Sequence, residues 1–206
     1  MQSENAFLFD EVKSRMPEFN FQIFCHDADT SDESFLDRLY EAGCDDATVF
    51  FKDGYVCLDF ARECECAEQA VVTAIRDYQA AGIGGTVIRI EPEDLASLSE
   101  IAKRVGVTRA SLQKYARGHS KIGSDFPRPA ANISQPRREL YSTAEVMRWM
   151  VARNRIGLPP ESLELADTIE RSNRALLIAK SSRDQTVSRL VAQLSKSQSK
   201  STRATT

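Results

Sequence analysis

Between Ser97 and Gly118 the chain spells two short helices and the turn that joins them. Ser97-Leu98-Ser99-Glu100 is a capping box: the Ser oxygen takes an orphan amide at a helix start, and Glu100 reaches back to the cap amide. Leu98, Ile101, Ala102 and Val105 then recur at helical spacing and form one apolar stripe. Gly106 permits a sharp turn and Val107 plugs it from the inside. Thr108 caps a second helix whose buried face is Leu112, Tyr115 and Ala116, and Gly118 ends it. No charge falls on the inward positions, so the two helices are expected to pack against each other.

Short extended pieces follow, flanked by Pro127, Pro129 and Pro136, and are compatible with a β-hairpin. Ser142-Thr143-Ala144-Glu145 is a second capping box, opening a helix with Val146, Trp149 and Met150 on its inner side. Residues 98–118 resemble the helix-turn-helix of DNA-binding proteins. Small Ala102 lies four before the turn glycine, a hydrophobic residue follows that glycine directly, and Leu112 falls six after it. With the hairpin as a wing, residues 95–155 look like the compact winged helix-turn-helix of the MerR, excisionase and AlpA-like group.

That resemblance implies a bacterial or phage regulator of DNA whose second helix enters the major groove. On this chain it implies Arg109, Ser111, Gln113 and Lys114 as base readers, Arg or Lys donating to guanine and Gln pairing with adenine. Arg109 and Gln113 are the best of these, and Lys103 is a surface charge. Thr108, Arg117, Arg128, Arg137 and Arg138 would lie on the DNA backbone or in the minor groove. The alternative is an ordinary helical hairpin with solvated arginines. The acidic N-terminal half departs from the small-molecule-sensing domains of MerR regulators, so no inducer or metal is implied.

Charge divides the chain at the same place. Residues 1–92 carry 7 Lys and Arg against 19 Asp and Glu, and residues 93–206 carry 20 against 11. Such asymmetry points to two physically different modules, the second suited to a polyanion. A basic region that merely offsets its acidic neighbour would look the same.

In the acidic half, residues 19–25 alternate as a half-buried strand, with Phe19, Phe21, Ile23 and Cys25 on one face. Phe35, Leu36, Leu39 and Tyr40 mark a helix ended by Gly43. Residues 48–51 and 55–60 are strand-like around Lys52-Asp53-Gly54, a hairpin signal. A second helix shows Ala67, Val71, Ala74, Ile75 and Tyr78 on one face, and residues 87–90 form a last strand. The expected fold is therefore α+β, with residues 1–92 a ferredoxin-like β-α-β-β-α-β sandwich. Its inward set is Phe21, Ile23, Val49, Phe51, Val56, Leu58, Phe60, Ile88 and Ile90. Phe24, Phe50 and Tyr55 fall on the other face as a contact surface for a partner, unless Phe7, Leu8, Phe9 and Val12 cover them.

Chemistry is hard to place here. The two histidines, His26 and His119, sit in different modules, and Gly82-x-Gly84-Gly85 precedes a strand rather than a helix. Cys25, Cys44, Cys57, Cys64 and Cys66 are an odd number, poorly suited to a secreted disulfide framework. Cys64-x-Cys66 with His26 lacks the second ligand pair of a structural zinc site, so buried thiols are favoured over metal. The expectation is a protein without catalytic residues, metal or cofactor. No apolar run approaches a membrane span and the N-terminus lacks a signal's features, which places the chain in the cytoplasm.

Beyond the break at Gly157 and Pro159-Pro160, residues 161–195 make a helical arm. Leu165, Ile169 and Leu176, and further on Leu190, suit pairing with a second copy or packing back on the chain's own body. Residues 196–206 are a basic tail expected to be disordered. The whole, with residues 93–156 as the winged module, is expected to be a homodimeric repressor that binds double-stranded DNA. Two other readings share the module: an antitoxin or mobile-element adaptor whose acidic domain binds another protein, and an excisionase-like architectural factor.

Overall fold

Alternation of apolar residues in the acidic half builds one antiparallel sheet, seen in a computed structural model that describes residues 16–118, 125–134, 137–190 and 192. The elements run β1 (Glu18–Ala28), α1 (Phe35–Glu41), β2 (Ala47–Lys52), β3 (Tyr55–Glu63), α2 (Ala67–Ala80) and β4 (Gly84–Glu91). The strands pair antiparallel in the order β2-β3-β1-β4. Asp53 and Gly54 take φ of 53° and 82°, the two left-handed residues of a hairpin whose twist matches its strands. Phe19, Phe21, Ile23, Leu58, Phe60 and Ile90 line the helix-covered face, where Phe35 and Leu39 of α1 and Val71, Ala74 and Tyr78 of α2 meet them. Phe21 and Phe60 stack with ring centres 5.4 Å apart.

Three expectations for this sheet need correction. Ile88 does not join the core; Val87 does. Phe24 pairs with Arg89 but Cys25 with Val87, so β4 carries an extra residue at a bulge and the inward parity changes there. Phe51 is 65 % exposed, although it lies opposite buried Val56. It sits at the hairpin end of an edge strand, with the Phe35 ring of the seven-residue α1 at 6.5 Å. Phe24 is fully buried and is no part of an open aromatic surface. The Arg89 guanidinium lies 3.8 Å over its ring and Tyr55 meets it edge-on at 6.4 Å, leaving Phe50 and Tyr55 half-buried. Phe7, Leu8, Phe9 and Val12 lie outside the described residues.

One inward position of β3 is charged. Arg62 follows Val56, Leu58 and Phe60 on the core side and is buried. Its guanidinium donates to both carboxylate oxygens of Asp46 (2.7 and 2.9 Å), to Asp77 (2.8 Å), to the Thr73 hydroxyl (3.0 Å) and to the Gly43 carbonyl (2.6 Å). The partnered carboxylates tie the end of α1, the start of β2 and α2 to β3, which is how a buried cation is tolerated.

The basic half has its own sheet and core. It comprises β5 (Leu95–Ala96), α3 (Leu98–Arg104), α4 (Arg109–Ala116), β6 (Ala131–Ser134), β7 (Arg137–Ser142) and α5 (Thr143–Ala152), with strand order β5-β7-β6. Ile101, Ala102, Leu112, Tyr141, Val146, Trp149 and Met150 fill the space between the helices and the sheet. Phe126 closes it, edge-on to both Trp149 and Tyr141.

The C-terminal helix α6 (Pro160–Arg183) is not a free arm. Ile169 is buried in the first core with Leu165 and Leu176 packed beside it, while Leu163 and Ala166 pack against the second. This corrects the reading of Leu165, Ile169 and Leu176 as faces for another copy: they are occupied within the chain. Polar groups complete the wedge. The Glu164 carboxylate accepts from the Ala67 amide at the start of α2 (2.9 Å), and Ser142 donates to Glu170 (2.8 Å). Asn173 lies against the outer edge of β4, where its Oδ1 accepts from the Ile90 amide (2.8 Å) and its Nδ2 donates to the Ile90 carbonyl (2.9 Å). The side-chain amide thus supplies the pairing that a missing fifth strand would have supplied, and protects an edge.

The helical arm expected over residues 161–195 is interrupted. Asp184 is extended, and its carboxylate accepts from the amides of Thr186 and Val187, capping a separate helical stretch over 185–190. Leu190 is exposed there. The tail at 196–206 lies outside the described residues. Among the described residues no helix is long and apolar enough to cross a membrane.

Candidate nucleic-acid interface

The capping box of α3 is complete. The Glu100 amide donates to the Ser97 hydroxyl oxygen (3.3 Å), and the Ser97 amide donates back to the Glu100 carboxylate (2.8 Å). The Ser97 hydroxyl and amide hold the Glu100 carboxyl below its usual range, with smaller help from the charges of Arg104 and Arg138. Gly106 takes φ of 71° with empty space where a Cβ would point, so its role is backbone conformation and not close packing. The Val107 amide donates to the Ala102 carbonyl (2.9 Å), which turns the chain into α4. Thr108 then caps α4, accepting from the Ser111 amide at 3.2 Å.

Leu112 is fully buried and Tyr115 packs on Trp149 at 5.1 Å, which fixes the rotation of α4 about its axis. With a turn of 3.6 residues, Arg109, Gln113 and Arg117 form one row on its outer side and Ala110 and Lys114 the next. Arg109, Ala110, Lys114 and Arg117 are exposed and Gln113 is half-buried. Ser111 falls on the opposite flank, its hydroxyl 2.8 Å from that of Thr108, so the cap occupies two of the expected DNA-facing groups. Ala110, passed over in the sequence because it carries no polar atom, is central to the outward face. Its place between Arg109 and Lys114 follows from Leu112 facing inward, as the buried face of the sequence already implied.

The hairpin pairs Ile133 with Arg138 and Ser134 with Arg137. Arg138 is exposed and shares its face of the hairpin with half-buried Leu140. Arg128 is exposed on the segment leading to β6. Gln135, Pro136, His119 and the Arg137 side chain lie outside the described residues.

Charge is sorted across this half. Arg104 donates to Glu93 (2.8 Å) and to Thr143, Arg148 pairs with Asp167 (3.0 Å), and Arg153 pairs with Asp125 while lying 4.6 Å over the Trp149 ring. The Trp149 indole N–H and then the Arg153 charge hold the Asp125 carboxyl below its ordinary value. These three arginines stitch the unit together and to α6. Among the described residues, Arg109, Lys114, Arg117, Arg128 and Arg138 enter no ion pair.

Among its described residues, the acidic half presents no comparable constellation. Its five cysteines are unpaired, and burial pushes the Cys25 and Cys44 thiols up to about 12. Cys64 and Cys66 are half-buried, and the described residues contain no group of three or more His, Cys, Asp or Glu arranged to hold a metal. His26 Nδ1 lies 2.8 Å from Asp27 and its ring leans on Tyr55. Compared with known proteins, the chain matches no family model, no curated protein and no solved structure.

Proposed function

We propose that this chain is a sequence-specific double-stranded DNA-binding regulator. In this reading α3 and α4 are a helix-turn-helix, β6 and β7 its wing, and α4 the helix that enters the major groove. Residues 18–91 are a ferredoxin-like sandwich that carries it, a reading supported by the strand order β2-β3-β1-β4. The observation that carries the proposal is the division of cations. Among the described residues, Arg104, Arg148 and Arg153 are consumed in ion pairs, while Arg109, Lys114 and Arg117 enter none and stand exposed along α4. A row of exposed, unpaired cations on a helix whose opposite face is fixed in a core is what a surface awaiting a polyanion requires.

The proposal includes a homodimer, because one such module makes few base contacts and two copies on a palindrome double them. Among the described residues, Leu177, Ile178 and Leu190 are the large apolar residues exposed on the C-terminal helices and available for that purpose. Selection of bound duplexes from random DNA, followed by anisotropy titration on the winning site, tests the reading. Arg109→Ala is expected to weaken the selected site by about 1–3 kcal/mol and to relax one base position. Wild-type affinity in that variant would show that α4 does not read the groove.

A second reading has one observation in its favour. Leu36, Tyr40 and Phe51 of the acidic unit are 58, 67 and 65 % exposed, as an adaptor or antitoxin binding another protein would need.

A further inference from the structure

The sheet of the acidic unit has two edges, and only one is blunted. At β4 the Asn173 side chain takes both backbone groups of Ile90. At the other edge β2 pairs with β3 and, among the described residues, with no other strand. Lys52 and Tyr55 flank the two-residue turn Asp53-Gly54 and are the hydrogen-bonding pair that closes it, which fixes the alternation along β2. Thr48 and Phe50 aim their amides and carbonyls at β3, while Val49 and Phe51 aim theirs outward. The Asp46 carbonyl, which accepts from the Ala61 amide at 3.1 Å, obeys the same alternation. Sheet edges are ordinarily protected by a proline, a bulge or a charge in mid-strand. Ala47–Lys52 has no proline, keeps an unbroken register with β3, and carries its one charge at the end. Phe51, 65 % exposed, adds a large apolar side chain to this open row.

Such a row accepts another strand, and the charges of β2 select which one. Lys52, which leans over the Phe24 ring at 5.7 Å, stands at one end, and Asp45 lies just before the other. Both are exposed, and among the described residues neither enters an ion pair. An antiparallel copy of β2 related by a twofold axis brings each lysine to the other's acidic end. We infer that β2 pairs in this way with β2 of a second copy of the chain, the axis passing beside Val49. Val49 then exchanges amide and carbonyl with the partner's Val49. The Phe51 amide meets the partner's Ala47 carbonyl, and the Phe51 ring lies beside the small Ala47 side chain on the helix-covered face. Lys52 reaches the corner at the partner's Asp45, the carboxylate there that Arg62 does not already hold. The same axis sets α1 and its copy on one face of the joined sheet, where Leu36 and Tyr40 are exposed. This contact is separate from the apolar residues of the C-terminal helices and uses no property of DNA binding.

The experiment takes full-length protein, free of DNA, through sedimentation velocity over a concentration series, with amide hydrogen exchange followed by NMR at both ends of the series. A concentration-dependent dimer is expected, and the Val49 and Phe51 amides are expected to slow as it forms. Phe51→Lys changes an exposed side chain, and Val49→Pro removes an outward amide while leaving the ladder to β3 intact. Each is expected to weaken the dimer at least tenfold. Lys52→Glu is expected to weaken it several-fold, and Asp45→Lys added to the same chain to restore it. Leu177→Lys, on α6, is expected to leave it in place. A chain that stays monomeric overturns the inference, and protected Val49 and Phe51 amides in that monomer would mean that the edge is covered within one chain. It is equally overturned if the dimer survives Phe51→Lys, if Leu177→Lys alone dissolves it, or if the paired charge reversal fails to restore it.

Discussion

Arg62 concentrates more of the acidic unit's polar bonding than any neighbour: two carboxylates, a hydroxyl and a carbonyl converge on its guanidinium. Burial works against its charge, and the hydrogen bonds and charges of Asp46 and Asp77 outweigh that and move its ionisation upward. Removing it leaves two carboxylates facing each other in a partly buried site. Arg62→Ala is therefore expected to destabilise the fold by about 3–5 kcal/mol, measured by urea denaturation. The buried thiols give a pH signature of the opposite kind. Cys25 and Cys44 rise from an ordinary 9.0 to about 12, chiefly through burial, so the folded chain holds their protons more tightly than the unfolded chain does. That contribution to stability is complete below pH 9 and is lost as the pH climbs to 12, which denaturation midpoints across that window would report. Iodoacetamide at pH 8 is expected to label half-buried Cys64 and Cys66 before Cys25, Cys44 and Cys57, as read by mass spectrometry of peptides.

Among the elements, α6 is the one whose role changed most between sequence and structure. A stripe of Leu165, Ile169 and Leu176 on a polar helix does not say whether the surface it meets belongs to another copy or to the same chain. The answer lies in polar partners far away in sequence: Ala67 for Glu164, Ser142 for Glu170 and Ile90 for Asn173. Asn173→Leu keeps the bulk and removes both bonds to the edge of β4. It is expected to cost about 1–3 kcal/mol and to accelerate hydrogen exchange of the Ile90 amide specifically. Unchanged exchange there would mean that the edge is protected by burial alone. The two helices α3 and α4 behave differently. Their caps, turn glycine and inward residues were all legible beforehand, because each rests on groups no more than about five residues apart.

For the molecule as a whole, the charge division of the sequence survives folding in a modified form. The acidic half spends part of its charge on Arg62, Arg38 and Arg89, and three arginines of the basic half are neutralised at the joints between elements. Among the described residues, Lys103, Arg155, Arg171, Lys180, Arg183 and Arg189 remain outside any ion pair, as do Arg109, Lys114, Arg117, Arg128 and Arg138. If those cations meet phosphates, affinity must fall steeply with salt. Arg138→Ala is expected to weaken every duplex to a similar degree and to reduce the slope of log affinity against log salt by about 1. An unaltered slope in that variant would put Arg138 away from the DNA.

Local signals were sufficient for the order of elements in the acidic half, the Asp53-Gly54 hairpin, the capping box at Ser97, the Ser142 cap of α5 and the turn at Gly106, because each depends on neighbours along the chain; at Ser142 only the hydroxyl half of the expected box forms. Which aliphatic stripe meets which core, the bulge that exchanges Ile88 for Val87, the burial of Phe24 under Arg89 and the sorting of paired from unpaired arginines depend on groups brought together from distant positions. Periodicity records that a face is apolar; it carries no information on what that face will touch. Only the closed chain, in which a side-chain amide at Asn173 completes a strand edge 83 residues earlier, decided those pairings.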